Sequence, residues 1–351
     1  MLGEKIKIAL VVASYFIVSI SMVLMNKFLL SKDNSVPAPF FVTWYQCVLT
    51  AIICWVLGIM GKKANKDSFL GQFPVQKYDI NTAIRILPLS IIFVGMITFN
   101  NLCLKNVNVS FYLVARSLTI VFNVVLSYLF LGIRTSLPVI GCCLVVIYGF
   151  YVGADGEINF SLLGTVFGVL SSLFVSLNSI YTKKMIPIVE NNSWKLCFYN
   201  NMNSTILFIP MILIFERDII RQHAQSFVSL TFWLVMNLAG VFGFLIGIVT
   251  IAQISLTSPL THNISGTAKA GVQTLVAYFF LGDPMSLRSG IGTALVLLGT
   301  FMYSLVRSRE MDKEKRMLRE KAKEDFVRET AETSTDSKEY EEKPLINKND
   351  E

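Results

Sequence analysis

The sequence predicts an all-α, polytopic membrane protein of ten transmembrane helices, built as two inverted five-helix repeats. The 351-residue chain is 53% hydrophobic and contains 26 Phe, which is far too apolar for a soluble protein of this length. Its apolar stretches are long enough to cross a bilayer as α-helices, and they lack the alternating pattern of a membrane β-barrel. Residue patterns of the first half also return in the second half at a constant offset.

Ten apolar stretches are predicted to span the membrane, each close to the length that an α-helix needs to cross about 30 Å of hydrocarbon. They are residues 8–30, 40–60, 86–104, 109–131, 138–152, 162–181, 194–215, 230–254, 258–281 and 289–305. The first stretch is too long for a cleaved signal peptide, and we expect it to remain as an anchor. The excess of Lys and Arg in one set of short loops places both termini in the cytosol, which requires an even number of spans.

The end of the chain, residues 307–351, is predicted to be a solvated cytosolic tail, because Lys, Glu, Ser and Thr dominate it. We expect it to be helical over 311–326 and disordered beyond, with a role in solubility and trafficking rather than in transport. The 6 Cys lie within or beside the predicted spans, which indicates packing rather than disulfides or a zinc site. Asn159 is the one sequon predicted as a glycosylation acceptor.

A shift of 150 residues aligns the two halves of the chain. The segment Tyr-Leu-Phe-Leu-Gly at 128–132 falls on Tyr-Phe-Phe-Leu-Gly at 278–282, and Gly149 falls on Gly299. We therefore predict one repeat at residues 1–153 and a second at 154–306. Because each repeat has an odd number of spans, the second enters the membrane in the opposite sense. Inverted repeats are typical of secondary transporters, whose solute site lies near the bilayer midplane between the halves.

The interiors of the predicted spans contain two cations, Arg116 and Lys269, and no Asp or Glu. A charge in the bilayer costs at least ~2.5 kcal/mol, so it is kept only where something compensates it. With no acidic partner in the spans, the compensating charge is expected to come from an anionic solute. The shift sets Lys269 on Thr119 and Arg116 on Gly266, one helical turn apart on equivalent helices. The alternative is that a cation extends to the lipid headgroups, which fits Arg116 better than the more central Lys269.

The seventh span contains an unusual density of amides, beginning with Phe-Tyr-Asn-Asn at 198–201. An asparagine side chain offers a donor and an acceptor together, which matches the edge of a nucleobase such as guanine, and an aromatic ring can stack on the base. The alternative is hydrogen bonding between helices, worth only ~0.6 kcal/mol per pair in membranes. The residues themselves leave both interpretations open.

The chain resembles the nucleotide-sugar transporters of the drug/metabolite transporter superfamily over about residues 8–306. The most specific segments are GMITFNNLCLK at 95–105, LGTVFGV at 163–169 and TSPLTHNISGTAKA at 257–270. The resemblance implies that the motif at 198–201 contacts guanine, that Tyr15 and Tyr112 line the cavity, and that Arg116 occupies a position where relatives also have a cation. The residues to which it assigns substrate binding are Tyr15, Tyr112, Arg116, Phe198, Tyr199, Asn200, Asn201, Ser265, Gly266, Thr267, Ala268 and Lys269.

The segment before Lys269 bears on the cargo. Carriers of GDP-mannose have Gly-Ala-Leu-Asn-Lys where this chain has Ser-Gly-Thr-Ala-Lys at 265–269. The lysine is kept and the four preceding residues differ, a form similar to that of GDP-fucose carriers. The resemblance therefore implies an antiporter that moves GDP-fucose from the cytosol into the Golgi lumen in exchange for GMP. It implies no enzyme activity, cofactor, metal or nucleic-acid partner; membrane lipid surrounds the chain, and a homodimer is an open alternative to a monomer.

Three alternatives remain at this point. The cargo could be GDP-mannose, or a phosphorylated metabolite such as triose phosphate or phosphoenolpyruvate, because the stretch at 258–262 also resembles plastid triose-phosphate translocators. A multispanning glycosyltransferase would need carboxylates for a metal-bound sugar nucleotide, and no DxD-type pair stands near any cavity helix. A channel or receptor does not account for an inverted repeat.

Overall fold

The computed structural model describes residues 2–30, 36–63, 73, 78–107, 109–132, 135–156, 161–257, 262, 265–266, 269 and 286–341. Within these ranges the secondary structure is helical and no strand is formed. The helices are α1 (Leu2–Leu30), α2 (Pro39–Lys63), α3 (Ile80–Asn106), α4 (Val109–Ser117), α5 (Thr119–Leu131), α6 (Leu137–Asp155), α7 (Leu162–Met185), α8 (Ser193–Phe215), α9 (Arg217–Gln222), α10 (Leu230–Leu256) and α11 (Leu287–Glu341). Two 3-10 helices, Ile186–Val189 and Ala224–Val228, follow α7 and α9.

Seven helical segments of the described chain are long and apolar enough to cross a membrane. They are Pro39–Lys63, Ile80–Cys103, Leu137–Asp155, Leu162–Val189, Ser193–Phe215, Leu230–Leu256 and Leu287–Glu310. Each lies at a predicted span, which confirms the prediction of an all-helical, polytopic membrane protein. Two shorter apolar helices, Ile6–Met22 and Val114–Phe130, lie at the first and fourth predicted spans. The ninth, 258–281, lies almost entirely outside the described residues.

The fourth predicted span is not one uninterrupted helix. The chain ends α4 at Ser117 and starts α5 at Thr119, with Leu118 in a turn between them. The Leu118 N–H donates to the Ala115 carbonyl at 3.2 Å, an i to i−3 bond that tightens the helix for one residue. The Phe122 N–H then bonds Leu118 O at 3.0 Å, so the backbone resumes its course. Hydropathy does not reveal this break, because the residues on both sides of it, apart from Arg116, are uncharged and mostly apolar.

The last helix continues to Glu341, beyond the predicted helix end at residue 326. Glu, Lys, Arg and Ala, which dominate this stretch, are strong helix formers. By contacts the chain divides into one unit at Met1–Phe301 and a second at Met302–Glu351, a boundary a few residues before the predicted start of the tail.

The core of the first unit is a set of helix pairs that are distant in sequence. α3 packs on α7 and α8, α2 packs on α8 and α10, and α1 packs on α10. α4 and α5 both lie against α7. The buried side chains between α3 and α8 include Ile86, Leu89, Leu196 and Phe198, which are all at most 4% exposed. The helices that are central in the contact pattern are therefore α3, α7, α8 and α10.

Helices α6 and α11 approach so closely that only glycine fits between them. A Cβ atom at Gly292 would lie 2.5 Å from Gly153 Cα and 2.8 Å from the Gly149 carbonyl oxygen. A Cβ at Gly149 would lie 2.9 Å from the backbone nitrogen of Val296. These neighbours are backbone atoms that cannot rotate away, so small residues allow the contact, as they do between many membrane helices.

The ends of several helices are tied to partners far along the chain. Both carboxylate oxygens of Glu216, which follows α8, accept from the N-terminus of α2: Phe40 N–H at 2.7 Å and Phe41 N–H at 2.8 Å. Lys183 Nζ of α7 donates to the Ile254 and Ser255 carbonyls at the end of α10, at 3.3 and 2.9 Å. Unpaired N–H and C=O groups at helix ends need such partners. Glu216 thus acts as a cap supplied by another helix.

The capping carboxyl of Glu216 is only 2% exposed. Burial raises its pKa from 4.5 to about 7, while the bonds from Phe40 and Phe41 act in the lowering direction. Because the pKa in the folded state lies above the ordinary value, the folded protein binds this proton more tightly than the unfolded chain does. The free energy of unfolding therefore falls as the pH rises from 4.5 to about 7 through this group, and is largest on the acid side.

The variant Glu216→Gln should lose this part of the pH dependence, because glutamine has no charge to desolvate. Thermal unfolding in detergent, measured between pH 5 and pH 8, should show Tm falling with pH in the wild type and a flatter profile in the variant. Glu190→Gln is the matched control: Glu190 is exposed, and the Lys195 ion pair holds its pKa below the usual range, so it does not titrate in this window. Parallel profiles for the wild type and Glu216→Gln would contradict the assignment.

Gly292→Ala should separate α6 from α11 and lower the free energy of unfolding by roughly 1–3 kcal/mol, the usual cost of overpacking. Gly141→Ala, on the same α6, is the control, because nothing lies within 4 Å of a Cβ there. It should be neutral or slightly stabilising, since alanine is the better helix former. Equal Tm values for the two variants would show that the contact tolerates a methyl group.

Candidate solute-binding site

Lys269 is buried, with 9% of its surface exposed, and its nearest described partners are neutral groups of α1. Its Nζ donates a short hydrogen bond to Ser19 Oγ and lies 5.4 Å from the centroid of the Tyr15 ring. Tyr15 and Ser19 are one helical turn apart, so both face the lysine from the same side of α1. An aromatic face and a hydroxyl stabilise an ammonium group without neutralising it.

The residues that precede Lys269 are held by α10. Gln253 is 0% exposed, and its Nε2 donates to Ser265 Oγ at 3.0 Å while its Oε1 lies 3.0 Å from His262 Nδ1. The His262 ring in turn stands edge-on to Tyr15, with 5.0 Å between the ring centroids. A Cβ at Gly266 would lie 3.6 Å from the Tyr15 hydroxyl, in ordinary contact. One buried amide therefore links this segment to α10, and Tyr15 links it to α1.

Arg116 of α4 is held by a second set of neutral groups. Its Nη1 donates to the Tyr112 hydroxyl at 2.9 Å and to Asn100 Oδ1 at 3.3 Å. The same Asn100 oxygen accepts from the Tyr112 hydroxyl at 3.1 Å and, in a short bond, from Ser171 of α7. A carbonyl oxygen that accepts three donors concentrates partial negative charge beside the guanidinium, but it has no formal charge to offer. Asn100 thus joins α3, α4 and α7 around the arginine.

The two cations influence each other, because the charge of Arg116 interacts with both Lys269 and Tyr15. In the part of the chain that the structure describes, the ion pairs are Lys195–Glu190, Arg288–Asp155 and Arg307–Glu310. Neither buried cation takes part in one. An uncompensated buried charge is costly, so two of them in one region favour occupation by an anion. Among the described residues no cluster of His, Cys, Asp or Glu could hold a metal ion.

The aromatic and amide residues at 198–201 are mostly engaged between helices. Phe198 and Tyr199 are 4% and 5% exposed and pack in the core, and the Tyr199 hydroxyl accepts from the Asp79 N–H at 3.1 Å, just before α3. Asn200 Oδ1 accepts from Ser90 of α3 at 3.0 Å. Asn201 Nδ2 donates to the Cys197 carbonyl of its own helix at 2.8 Å. The side chains suited to a base edge in this motif are therefore Asn200 and Asn201, because both are only partly buried.

The structure brings the residues predicted from the sequence into three groups. Tyr15, Ser265, Gly266 and Lys269 form one, and Tyr112 and Arg116 form the second. Residues 198–201 form the third, against α3, while Thr267 and Ala268 lie outside the described residues. Sequence reasoning did not assign Ser19 or Gln253 to the site. A signal existed for each: Ser19 is one turn from Tyr15, and Gln253 is an isolated amide in a very apolar helix.

The described helices span the membrane and bring together two cations whose hydrogen-bond partners are neutral. This arrangement is typical of a membrane transporter. Residues 6–304 match the Triose-phosphate Transporter family, and the chain belongs to this family. The resemblance predicted from the sequence motifs is thereby confirmed at the level of the family.

Two curated relatives cover most of the chain. GDP-fucose transporter 1 of Nematostella vectensis is 48% identical over 319 residues, which is 89% of this chain and 93% of that protein. A protein of Drosophila melanogaster named "GDP-fucose transporter, Golgi" is 42% identical over 317 residues, 89% of this chain and 93% of that protein. One crystal structure matches with a TM-score of 0.59 at 14% sequence identity, and the match covers 86% of this chain and 98% of the chain in that structure. This similarity concerns the fold alone.

Lys269→Met should leave the solute-free protein as stable as the wild type or up to about 4 kcal/mol more stable, because it replaces a buried unpaired ammonium with an apolar side chain of similar length. Inorganic pyrophosphate should raise the Tm of the wild type and not that of the variant, since a ligand stabilises only a state that binds it. Lys183→Met is the control: it removes a cap from α10 and should lower Tm while the pyrophosphate response remains. A lower Tm for solute-free Lys269→Met would indicate a structural lysine.

Proposed function

We propose that this protein is an antiporter that moves GDP-fucose from the cytosol into the Golgi lumen and returns GMP. The observation that carries the proposal is a pair of cations, the buried Lys269 and the partly buried Arg116, whose hydrogen-bond partners in the described chain are neutral. The cargo and the compartment are supported by relatives that are 42–48% identical and named GDP-fucose transporters, one of them of the Golgi.

The proposed cargo matches the site in charge. A nucleoside diphosphate sugar has two negative charges on its diphosphate, one for each cation. Attraction between ions strengthens steeply as the local dielectric falls, so the pairing gains most when the cavity closes and water leaves. Arg116 suits a phosphate further, because its planar guanidinium can donate two parallel hydrogen bonds. Lys269 acts as a point charge, oriented by Ser19 and Tyr15.

The uncharged parts of the cargo are assigned to the remaining residues. We assign guanine to Asn200 and Asn201 of α8, with Phe198 and Tyr199 buried behind them as packing that positions the amides. The segment of Ser265, Gly266, Thr267 and Ala268 that precedes Lys269 is assigned to one side of the sugar, where the sugar adjoins the phosphates. Tyr15 contacts Lys269 and Tyr112 contacts Arg116. Both tyrosines belong to the first repeat, and we assign them to the lining of the space between the cations.

Exchange follows from the energetics of the empty carrier. To return without cargo, it would have to occlude both cations unpaired, at a cost of several kcal/mol. Each ~1.4 kcal/mol slows a step about tenfold, so the empty return is slow and a second anion must accompany it. GMP retains the guanine and a phosphate and can serve. The predicted spans contain no carboxylate to bind sodium or relay a proton, so we propose no cation coupling.

We infer that the helices form two inverted repeats of five, at residues 1–153 and 154–306, with both termini cytosolic and the tail after them. Helix contacts support this arrangement. Under the 150-residue shift the α3–α7 pair corresponds to α1–α10, and α3–α8 corresponds to α2–α10. A Cβ at Gly149 would meet Val296 at 2.9 Å, and one at Gly299 would meet Val146 at 2.9 Å, the same pair with the repeats exchanged. Exchange in this arrangement requires one copy of the chain, so a homodimer is not needed for it.

The decisive experiment is counterflow with purified protein in liposomes. Labelled GDP-fucose should enter vesicles preloaded with GMP at least about tenfold faster than it enters empty vesicles. Vesicles preloaded with UMP, which has the same charge but no guanine, should behave like the empty ones. Unlabelled GDP-fucose should compete best, GDP-mannose less well, and phosphoenolpyruvate or triose phosphate poorly. Equal rates into empty and GMP-loaded vesicles would refute exchange, and competition led by phosphoenolpyruvate would assign the cargo to phosphorylated metabolites instead.

A further inference from the structure

Unpaired buried polar atoms are concentrated on one helix face. In the described part of the chain, the buried side-chain nitrogen and oxygen atoms without a hydrogen-bond partner are Trp44 Nε1, Thr119 Oγ1, Asn123 Nδ2 and Asn123 Oδ1. Three of these four belong to α5, one helical turn apart, on residues that are 3% and 0% exposed. Buried amides and hydroxyls in folded proteins are nearly always paired, so an amide with both ends free calls for a ligand or an alternative partner.

These two residues extend the face that already holds the arginine. Tyr112, Arg116, Thr119 and Asn123 follow one another at intervals of four, three and four residues, which places them on one side of a helix. The break at Leu118 does not turn this face away, because Leu118 has helical dihedrals of φ −59° and ψ −15°. Arg116 provides a charge of the proposed anion site, and Tyr112 accepts a hydrogen bond from it. Thr119 and Asn123 are uncharged and extend the same face along the helix.

The second repeat has counterparts of these four residues in its sequence. Adding 150 to the four positions gives His262, Gly266, Lys269 and Gln273. The correspondence extends to contacts: Tyr112 donates to an amide of α3, Asn100, and His262 bonds an amide of α10, Gln253, where α3 and α10 are the equivalent helices. Thr119 is therefore the counterpart of Lys269. At this position one repeat has a cation and the other has a hydroxyl, and the next position of each set, Gln273 or Asn123, is an amide in the sequence.

The backbone of α5 is secured while these side chains stay free. Ser176 of α7 donates to the Thr119 carbonyl at 2.7 Å, and Ser172 donates to the Ala115 carbonyl at 2.7 Å. The α7 hydroxyls thus bond the main chain and leave the Thr119 hydroxyl and the Asn123 amide without partners. The tightened turn at Leu118 lies directly before this pair. Interrupted helices of this kind border the solute in many transporters.

We propose that Thr119 and Asn123 form an uncharged polar subsite that binds the hydroxyl-bearing sugar of the transported anion, an inference that rests on the proposed function. A hydroxyl and an amide both donate and accept, as sugar hydroxyls do, and neither competes with the cations for phosphate. A site built to hydrogen-bond hydroxyl groups rejects a ligand that lacks them, because its own buried polar groups then stay unpaired. This subsite therefore discriminates between a nucleotide with a terminal sugar beyond its phosphates and one without.

The test compares two exchange reactions of the same variant. In Asn123→Leu, and separately in Thr119→Val, the exchange of external labelled GDP-fucose for internal GMP should fall at least about tenfold more than GMP self-exchange, because GMP has no sugar attached beyond its phosphate. Thermal unfolding of the solute-free variants should occur at the same temperature as in the wild type or higher, since an unpaired polar group is replaced by an apolar one of similar shape. Asn203→Leu is the matched control, because this buried amide does have a partner, donating to Ala83 O at 2.9 Å.

Each outcome has a distinct meaning. Asn203→Leu should lower Tm and affect both exchange reactions equally. If Asn123→Leu and Thr119→Val change both reactions by the same factor, or lower Tm as the control does, the pair is structural and the subsite is refuted. If the wild type exchanges neither GMP for GMP nor GDP-fucose for GMP, the proposed function fails, and the subsite fails with it.

Discussion

The constraint on which the structure depends is the placement of two cations in a low-dielectric interior, where no described carboxylate forms an ion pair with either of them. Neutral oxygen atoms surround both: Tyr112 and Asn100 at Arg116, and Ser19 at Lys269. Such dipoles orient a charge and offset part of its desolvation, but they leave its field uncancelled. The chain does bury a carboxylate, Glu216, yet uses it at the end of α2. Positive potential at the centre is therefore available to an incoming anion.

The helix scaffold holds this centre from both halves of the chain. α1 and the segment around Lys269 supply one side, and α3, α4 and α7 supply the other. Besides the packing of α3 on α7 and α8 and of α1 and α2 on α10, two kinds of contact join the halves: backbone contact at the glycines of α6 and α11, and the Glu216 cap on α2. Backbone contacts of this sort are rigid, because no rotamer can absorb a shift. A hydrogen-bonded cap, in contrast, can exchange its partner, so movement between states is expected at the caps sooner than at α6 and α11.

Much of this architecture is predictable because the bilayer leaves few choices. A segment in hydrocarbon must satisfy its backbone groups internally, so an apolar run of sufficient length is a helix, and seven of the predicted spans appear where hydropathy places them. The two cations were also evident, since charge in such runs is rare. The break at Leu118 was not, because an i to i−3 bond leaves no mark in composition. Nor was the Glu216 cap, whose partners are 175 and 176 residues away along the chain.

The motif at 198–201 shows how the same residues can serve packing and recognition. Tyr199 and Asn200 bond α3 in this structure, through Asp79 and Ser90. If guanine displaces Ser90 from the amide oxygen of Asn200, its binding is coupled to the contact between α3 and α8. A ligand shifts a conformational equilibrium only by its differential affinity for the two states. A base that binds Asn200 only after the Ser90 bond is broken has a higher affinity for the state in which α3 and α8 are less tightly joined, and it therefore stabilises that state. Recognition of the base would thus favour a helix movement. The cations cannot supply this selectivity, because they attract any phosphate.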